Sequence, residues 1–393
     1  GSLFGGWPYR RYQFLLSLTD HLPHGGLEHH ESSDNRVWER TLLDDAQWAV
    51  RSRLLPHELA HAWNGKLRRP EGLATRDYQQ PMKTELLWIY EGLTSYVGDI
   101  VLSARAGLRG PEQSREALAW SAGALEVRSG RNWRPLVDTA RSAPALWEAA
   151  REWQSWRRGL DYYPESALIW LEADVLIRQR SNGQRSLDDF CRQFHGQFAK
   201  GAPAVVPYKL DDVLAALNAV VPMDWRAFFQ ARVYTATARA PLGGIEQGGW
   251  KLVYKDTPTA FFRQVEQAYK EIDHSLSIGI TLKEDGTVLD VNQGSPAARA
   301  GVGPASRVVA INGRRFTAQV LRAGVAATKT GTPLELLVEM NDYFRSHKLD
   351  WKGGLRYPAL ERDASRPDLL SAIFTPRQAA PAAPTAVPSA AAP

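Results

Sequence analysis

A single cysteine, Cys191, in 393 residues excludes an internal disulfide and leaves the fold to rest on its core alone. Cys191 falls in the amphipathic stretch 187–198 and reads as a buried core thiol rather than a nucleophile. No apolar run reaches the length of a membrane span. Lys and Arg never gather into a long block: Arg51, Arg53, Arg68 and Arg69 are scattered, and a formal charge of +5 is mild for this length. That argues for a solvated surface and against a nucleic-acid partner. Internal repeats are lacking as well. What the chain has in quantity is tryptophan, fourteen in all, as bulky helical cores or substrate grooves require.

The length predicts two or three domains. Residues 1–35 read as strands and turns punctuated by Pro23, Gly25 and Gly26. Tyr9-Arg10-Arg11-Tyr12 followed by Phe14-Leu15-Leu16 is too short in its apolar part for a signal peptide, and the alternation Tyr12, Phe14, Leu16 predicts a strand. A start inside a sheet suggests a further segment upstream. From Asp44 to about Phe229 the pattern is helical. One long amphipathic segment covers 84–105 and stops at Gly107. Further helices are expected over 117–127, 144–158, 165–180, 187–198, 210–217 and 222–229. Glycines crowd at 243–249 and mark a boundary. Beyond it, 276–282, 288–291, 307–311 and 334–340 read as short strands. The stretch 376–393 is almost wholly Ala and Pro and is expected to be a disordered tail.

The chemistry concentrates at His57-Glu58-Leu59-Ala60-His61. Residues four apart share a helix face, so both imidazoles can reach one ion while Glu58 reaches its water. Pro56 suits a helix start or a kink, and Gly65 a helix end. On a second, otherwise apolar helix stands Glu91, a carboxylate that there needs a partner or a metal. Two histidines and a glutamate with an open fourth position form a catalytic zinc arrangement, and one Zn2+ per chain is expected. Zinc lowers the pKa of its water, and Glu58 would take the proton and later deliver it to the leaving amine. His21, His24, His29 and His30 also cluster, at a spacing that fits neither a helix face nor a zinc pattern.

Taken together, HELAHAWNG at 57–65, RRP at 68–70 and LWIYEGLTSY at 87–96 closely resemble the PDZ-containing glycyl aminopeptidase family of glutamate-liganded zinc peptidases. The resemblance runs nearly to Arg377. It implies zinc ligands His57, His61 and Glu91, with Glu58 as general base. It implies that Gly25-Gly26-Leu27-Glu28-His29 is a substrate-binding edge strand whose Glu28 meets the free amine. It implies an oxyanion-stabilising tyrosine, Tyr163 or alternatively Tyr162, although Pro164 and Ser166 depart from the relatives' pattern. The family carries a large β-rich domain before this region, which this chain lacks. A preference for small N-terminal residues and an exported, periplasmic location (cytoplasmic as the alternative) also follow from the family only.

Ser295-Pro296-Ala297-Ala298-Arg299-Ala300-Gly301-Val302 and the run to Asn312-Gly313 resemble the middle of a PDZ domain, with a short helix, a strand and a tight Asn-Gly turn. By that likeness Ile278, Gly279 and Ile280 would receive peptide C-termini, against a helix near 319–329. The expected fold class is therefore α+β and multidomain. A mostly helical, thermolysin-like catalytic domain with an edge β-sheet (1–245) precedes a PDZ-like domain (257–345), an extension (346–375) and the tail. The partners are peptide substrates. An aminopeptidase leads, with an endopeptidase or a non-catalytic peptide binder as alternatives.

Overall fold

The computed structural model describes residues 2–146 and 152–376; nearly all of the Ala/Pro tail lies outside them. The chain opens with a three-stranded sheet of β1 (Gln13–Leu18), β2 (Gly25–Glu28) and β3 (Ser32–Val37), in the order β1-β3-β2. β1 runs parallel and β2 antiparallel to the central β3. Ser33, Asn35 and Val37 of β3 are buried and the alternate residues turn outward, as a period of two demands. β2 is left as an edge. The Tyr12 hydroxyl donates to the carbonyl of Glu58 at 3.1 Å and so fixes the sheet beside the helix that carries the paired histidines.

That helix, α2 (Leu54–His61), follows α1 (Asp45–Arg51), whose N-cap Asp44 accepts from the amides of Ala46 and Gln47. Pro56 falls in the first turn of α2, where a missing N–H breaks no intrahelical bond. Gly65 follows with φ +139, and a Cβ there would sit 2.7 Å from the Tyr90 ring. The segment expected to be one long helix is α3 (Leu87–Thr94), continued by a π-helical stretch (Ser95–Leu102) and a last turn (Ser103–Arg105). Gly98 lies where this helix crosses α2, and a Cβ there would come within 2.6 Å of His57 Cα.

α4 (Pro111–Glu126) starts earlier than expected, with Pro111 in its first turn. α5 (Pro164–Arg180) runs through the centre, where Trp88, Trp170, Trp225 and Phe229 form the main core. Cys191 is buried in the helix Leu187–Phe194, as expected of a core thiol. The helix expected over 144–158 is not continuous. Ala143–Leu146 and Gln154–Arg157 are helical, and the latter is bounded by left-handed Trp153 and Arg158, φ 62 and 54.

Past residue 243 the chain leaves this core and returns. Strand Trp250–Lys255 pairs with Tyr357–Arg362, and helix Leu369–Phe374 puts Leu370, Ile373 and Phe374 back into the main core. Between them lies a second core of Ile278, Ile280, Val291, Ile311, Leu321 and Leu336 among others. It is built from the sheet Glu271–His274, Ile280–Lys283 and Val288–Val291, a second sheet around Arg307–Ile311 and Leu334–Met340, and helices Pro296–Arg299 and Ala318–Ala327. Asn312 and Gly313 both have positive φ, 47 and 74, as a tight hairpin turn requires.

Candidate metal centre

The structure brings His57, His61 and Glu91 to one point. His61 Nε2 lies 3.2 Å from His57 Nε2, and Glu91 Oε2 is 3.5 Å from the first ring and 3.3 Å from the second. Each imidazole is held through its other nitrogen. His57 Nδ1 donates to Asp99 Oδ1 at 3.1 Å, and Arg53 grips the same carboxylate at 2.6 Å. His61 Nδ1 donates to the carbonyl of Asn64 at 3.0 Å. A carboxylate and a carbonyl only accept, so they fix the proton on Nδ1 and leave each Nε2 with a lone pair. Two lone pairs and a carboxylate then face one another. Glu91 Oε2 is buried and accepts no hydrogen bond. Such a cluster calls for a cation, and its two nitrogens and one oxygen suit zinc better than calcium or magnesium.

Asp99, Arg53 and Asn64 were not singled out in the sequence. At 3.6 residues per turn, a position eight past Glu91 lies roughly 80° off its face. The wider turns of the π-helical stretch add fewer degrees per residue and return Asp99 to the side of α2. Asn64 ties the two ligand helices together: its amide donates to the carbonyls of Ile89 and Tyr90 and to Thr94 Oγ1, each at 3.0 Å.

Glu58 is buried beside the first ligand, and burial raises its carboxyl above the usual range. It lies against β2: a Cβ on Gly26 would fall 1.9 Å from Glu58 Oε1. The bare backbone at Gly26 is thus filled by Glu58, whereas nothing lies within 4 Å of a Cβ on Gly25. Glu28 faces the same space. Carboxylate and imidazole atoms of Glu28, Glu58 and His61 lie within 4.8 Å of one another. Tyr90 donates to Glu28 Oε1, and Lys66 Nζ stands 3.7 Å from it. Burial opposes ionisation of Glu28, but His61, Lys66 and Tyr90 draw its carboxyl below the usual range. The Tyr163 hydroxyl is hydrogen-bonded to Glu91 and its ring lies 6.2 Å from that of His57. Tyr162 is 1% exposed and packs in the main core, which leaves Tyr163 as the tyrosine facing the cluster.

The expected peptide site at Ile278, Gly279 and Ile280 is corrected by the pairing. Strand Ile280–Lys283 has both edges taken, by Glu271–His274 on one side and Val288–Val291 on the other. The amides of Ser277, Ile278 and Gly279 all donate to the His274 carbonyl, at 3.1, 3.0 and 3.0 Å. Toward helix Ala318–Ala327, Glu266 accepts from the Asp273 amide and from Arg322. Strand Ile280–Lys283 therefore has no free edge of its own for an added strand. The sequence misses this because the strand Glu271–His274 is short and mostly polar. Of the early histidines, His24 bonds the Thr19 carbonyl and meets the Trp38 ring edge-on, and none joins a metal-ligand cluster among the described residues.

The arrangement, two histidines from one helix and a glutamate from the next around one point, is that of a candidate metal centre. Residues 51–169, the segment that carries His57, Glu58, His61, Glu91 and Tyr163, match the model of the M61 glycyl aminopeptidase family. Over that segment the chain is similar to the M61 family. Among solved structures it resembles an aminopeptidase N family protein from Idiomarina loihiensis, with a TM-score of 0.72 and 20% identity over 95% of this chain and 64% of that one. The likeness establishes the shared fold, and the chain spans less than two thirds of that protein's length. An M1 zinc metallopeptidase from Deinococcus radiodurans, bound to a Tyr-Ser-Ala substrate, aligns at TM-score 0.35 and 16% identity, over 60% and 42% of the two chains. No curated protein matches the chain. Among the described residues no helix is long and apolar enough to cross a membrane.

Proposed function

We propose that this chain is a zinc-dependent aminopeptidase that removes small N-terminal residues from peptides. The observation that carries the reading is the placement of Glu28: an ionised carboxylate on an edge strand, in one cluster with Glu58 and His61. An aminopeptidase must meet a terminal ammonium one residue away from the carbonyl it attacks, and a fixed carboxylate does this. β2 offers unpaired backbone to the peptide alongside.

Zinc, held by His57, His61 and Glu91, would supply an acidified water and a Lewis acid for the scissile carbonyl. The chain's own groups do the rest. Glu58, its proton affinity raised by burial, takes the proton of the attacking water and passes it to the leaving amine. The Tyr163 hydroxyl donates to the carbonyl oxygen as negative charge gathers on it. Glu28, steadied by Tyr90, holds the substrate ammonium. A preference for glycine or alanine accords with the family and with the two tyrosine rings, Tyr90 and Tyr163, that flank the histidines.

The test compares an alanyl dipeptide with its acetylated form. Wild type is expected to cleave the free amine at least tenfold faster, and Glu28→Ala to lose most of that preference. Equal cleavage of both by wild type means an endopeptidase and removes the role of Glu28.

A further inference from the structure

The start of α5, which presents Tyr163, is clamped by buried charge. Arg158 donates to Asp161 at 2.7 Å and to Glu165 at 2.6 Å. Arg131 donates to the same Glu165 oxygen at 2.7 Å, and Arg128 pairs with Asp161. Arg131, Arg158, Asp161 and Glu165 are all at most 2% exposed. Asp161 and Glu165 stand two residues to either side of Tyr163, so the clamp fixes that tyrosine.

Arg158 in turn hangs on a strained segment. The short helix Gln154–Arg157 has left-handed residues at both ends, Trp153 and Arg158, a conformation unfavourable for a non-glycine residue. What stabilises the N-terminal end comes from the other domain. Asp290 Oδ1, on strand Val288–Val291, accepts the Trp153 amide at 2.6 Å, and the Asp290 carboxylate also accepts the Gln154 amide. Ser155 Oγ accepts the amide of Gln293 at 3.2 Å, and the Trp153 side chain packs on the second core. The C-terminal domain thus caps a catalytic-domain helix across the domain boundary.

We infer that Asp290 is a positioning residue for Tyr163, acting through the capped helix Gln154–Arg157 and the buried Arg158, so that the C-terminal domain is part of the catalytic apparatus. The inference rests on the reading of Tyr163 given above. It assigns the second domain a mechanical role that needs no ligand and accords with the pairing of strand Ile280–Lys283 on both sides.

The test is a double-mutant cycle in the whole chain, measuring kcat, KM and bound zinc. Asp290→Ala is expected to lower kcat by roughly tenfold, with zinc content and KM unchanged. Asp290→Asn, which keeps the accepting Oδ1, is expected to stay within about twofold of wild type, and Ser155→Ala to fall between them. In a Tyr163→Phe background, Asp290→Ala should cost nothing further. Equal fractional losses in both backgrounds overturn the proposal, as does Asp290→Asn being as damaging as Asp290→Ala. A damaged Tyr163→Phe beside an undisturbed Asp290→Ala sinks this inference alone; an undisturbed Tyr163→Phe sinks the role of Tyr163 as well. Hydrogen exchange reads the coupling without activity: Asp290→Ala should speed exchange at residues 156–167 and leave α2 protected, and unchanged exchange there refutes it.

Discussion

Asp99 gives the sharpest test of how the metal centre is held. Its carboxylate takes the Nδ1 proton of His57 on one oxygen and Arg53 on the other, and it is 15% exposed. In Asp99→Ala the His57 ring loses the group that fixes both its tautomer and its direction. Loss of an outer partner of this kind typically costs 10- to 100-fold in metal affinity, or about 1.4–2.7 kcal/mol. The orphaned Arg53 adds little, because its side chain is 43% exposed and can turn to water. The expected loss therefore lies toward the lower end, about 10- to 30-fold in the zinc dissociation constant. Asp99→Asn keeps an acceptor for His57 but faces Arg53 with an amide, so a loss of only a few-fold is expected. Competition against a chelator of known zinc affinity at fixed pH measures both. Zinc bound by Asp99→Ala as tightly as by wild type would refute the argument that His57 is oriented through Nδ1.

Glu58→Gln should retain zinc and lose turnover by roughly a hundredfold or more, since the proton acceptor goes while the ligands stay; near-normal kcat with metal bound removes Glu58 from the mechanism. Gly26→Ala puts a methyl where Glu58 Oε1 now lies, so it should cut activity without releasing zinc, and a crystal structure with Glu58 unmoved would contradict that. His274 predicts an acid sensitivity. It is 1% exposed with both ring nitrogens unpartnered, and burial holds its pKa down at about 3. The unfolded chain takes up this proton below about 6.5 and the folded chain only near 3. Stability is unaffected at pH 7 and falls by about 1.4 kcal/mol per pH unit as pH drops between those values. His274→Leu should flatten the acid limb of denaturation by that slope, and an unchanged limb would show that the ring is charged in the fold.

Much of the centre was legible because it is local. A four-residue spacing on a helix and a lone carboxylate in an apolar helix are one-dimensional facts, and the structure unites His57, His61 and Glu91 as they predict. Glu28 came from the family resemblance, and alternation along β2 puts it on the face that Gly26 presents to Glu58. What escaped was what depends on departures from regular geometry. Asp99 reaches His57 through a π-helical stretch that no 3.6-residue count anticipates. The break at Trp153 interrupts an amphipathic pattern that reads as one continuous helix. Glu271–His274 fills a strand edge because of where the chain returns, and a four-residue polar strand carries no signal of that.

These departures cluster where the two helices and two domains meet, and packing explains why. Gly98 and Gly26 allow main chain to approach His57 and Glu58 within distances that a Cβ would forbid, so the glycines set the spacing of ligand, base and sheet. The remaining adjustments are electrostatic: Asp99 with Arg53, Asn64 with three groups on α3, and the arginines with Asp161 and Glu165. Apart from Arg53, which can turn to water, the groups are largely buried with their partners present, and removing one partner strands the other. A substitution at Asn64 should therefore act on both ligand helices at once. Asn64→Ala leaves its carbonyl for His61 but unpairs the bonds to Ile89, Tyr90 and Thr94, letting α3 shift against α2. Zinc affinity and thermal stability should then fall together, whereas Asp99→Ala lowers chiefly the first. If Asn64→Ala lost neither, the two helices would be held by the glycine contacts alone.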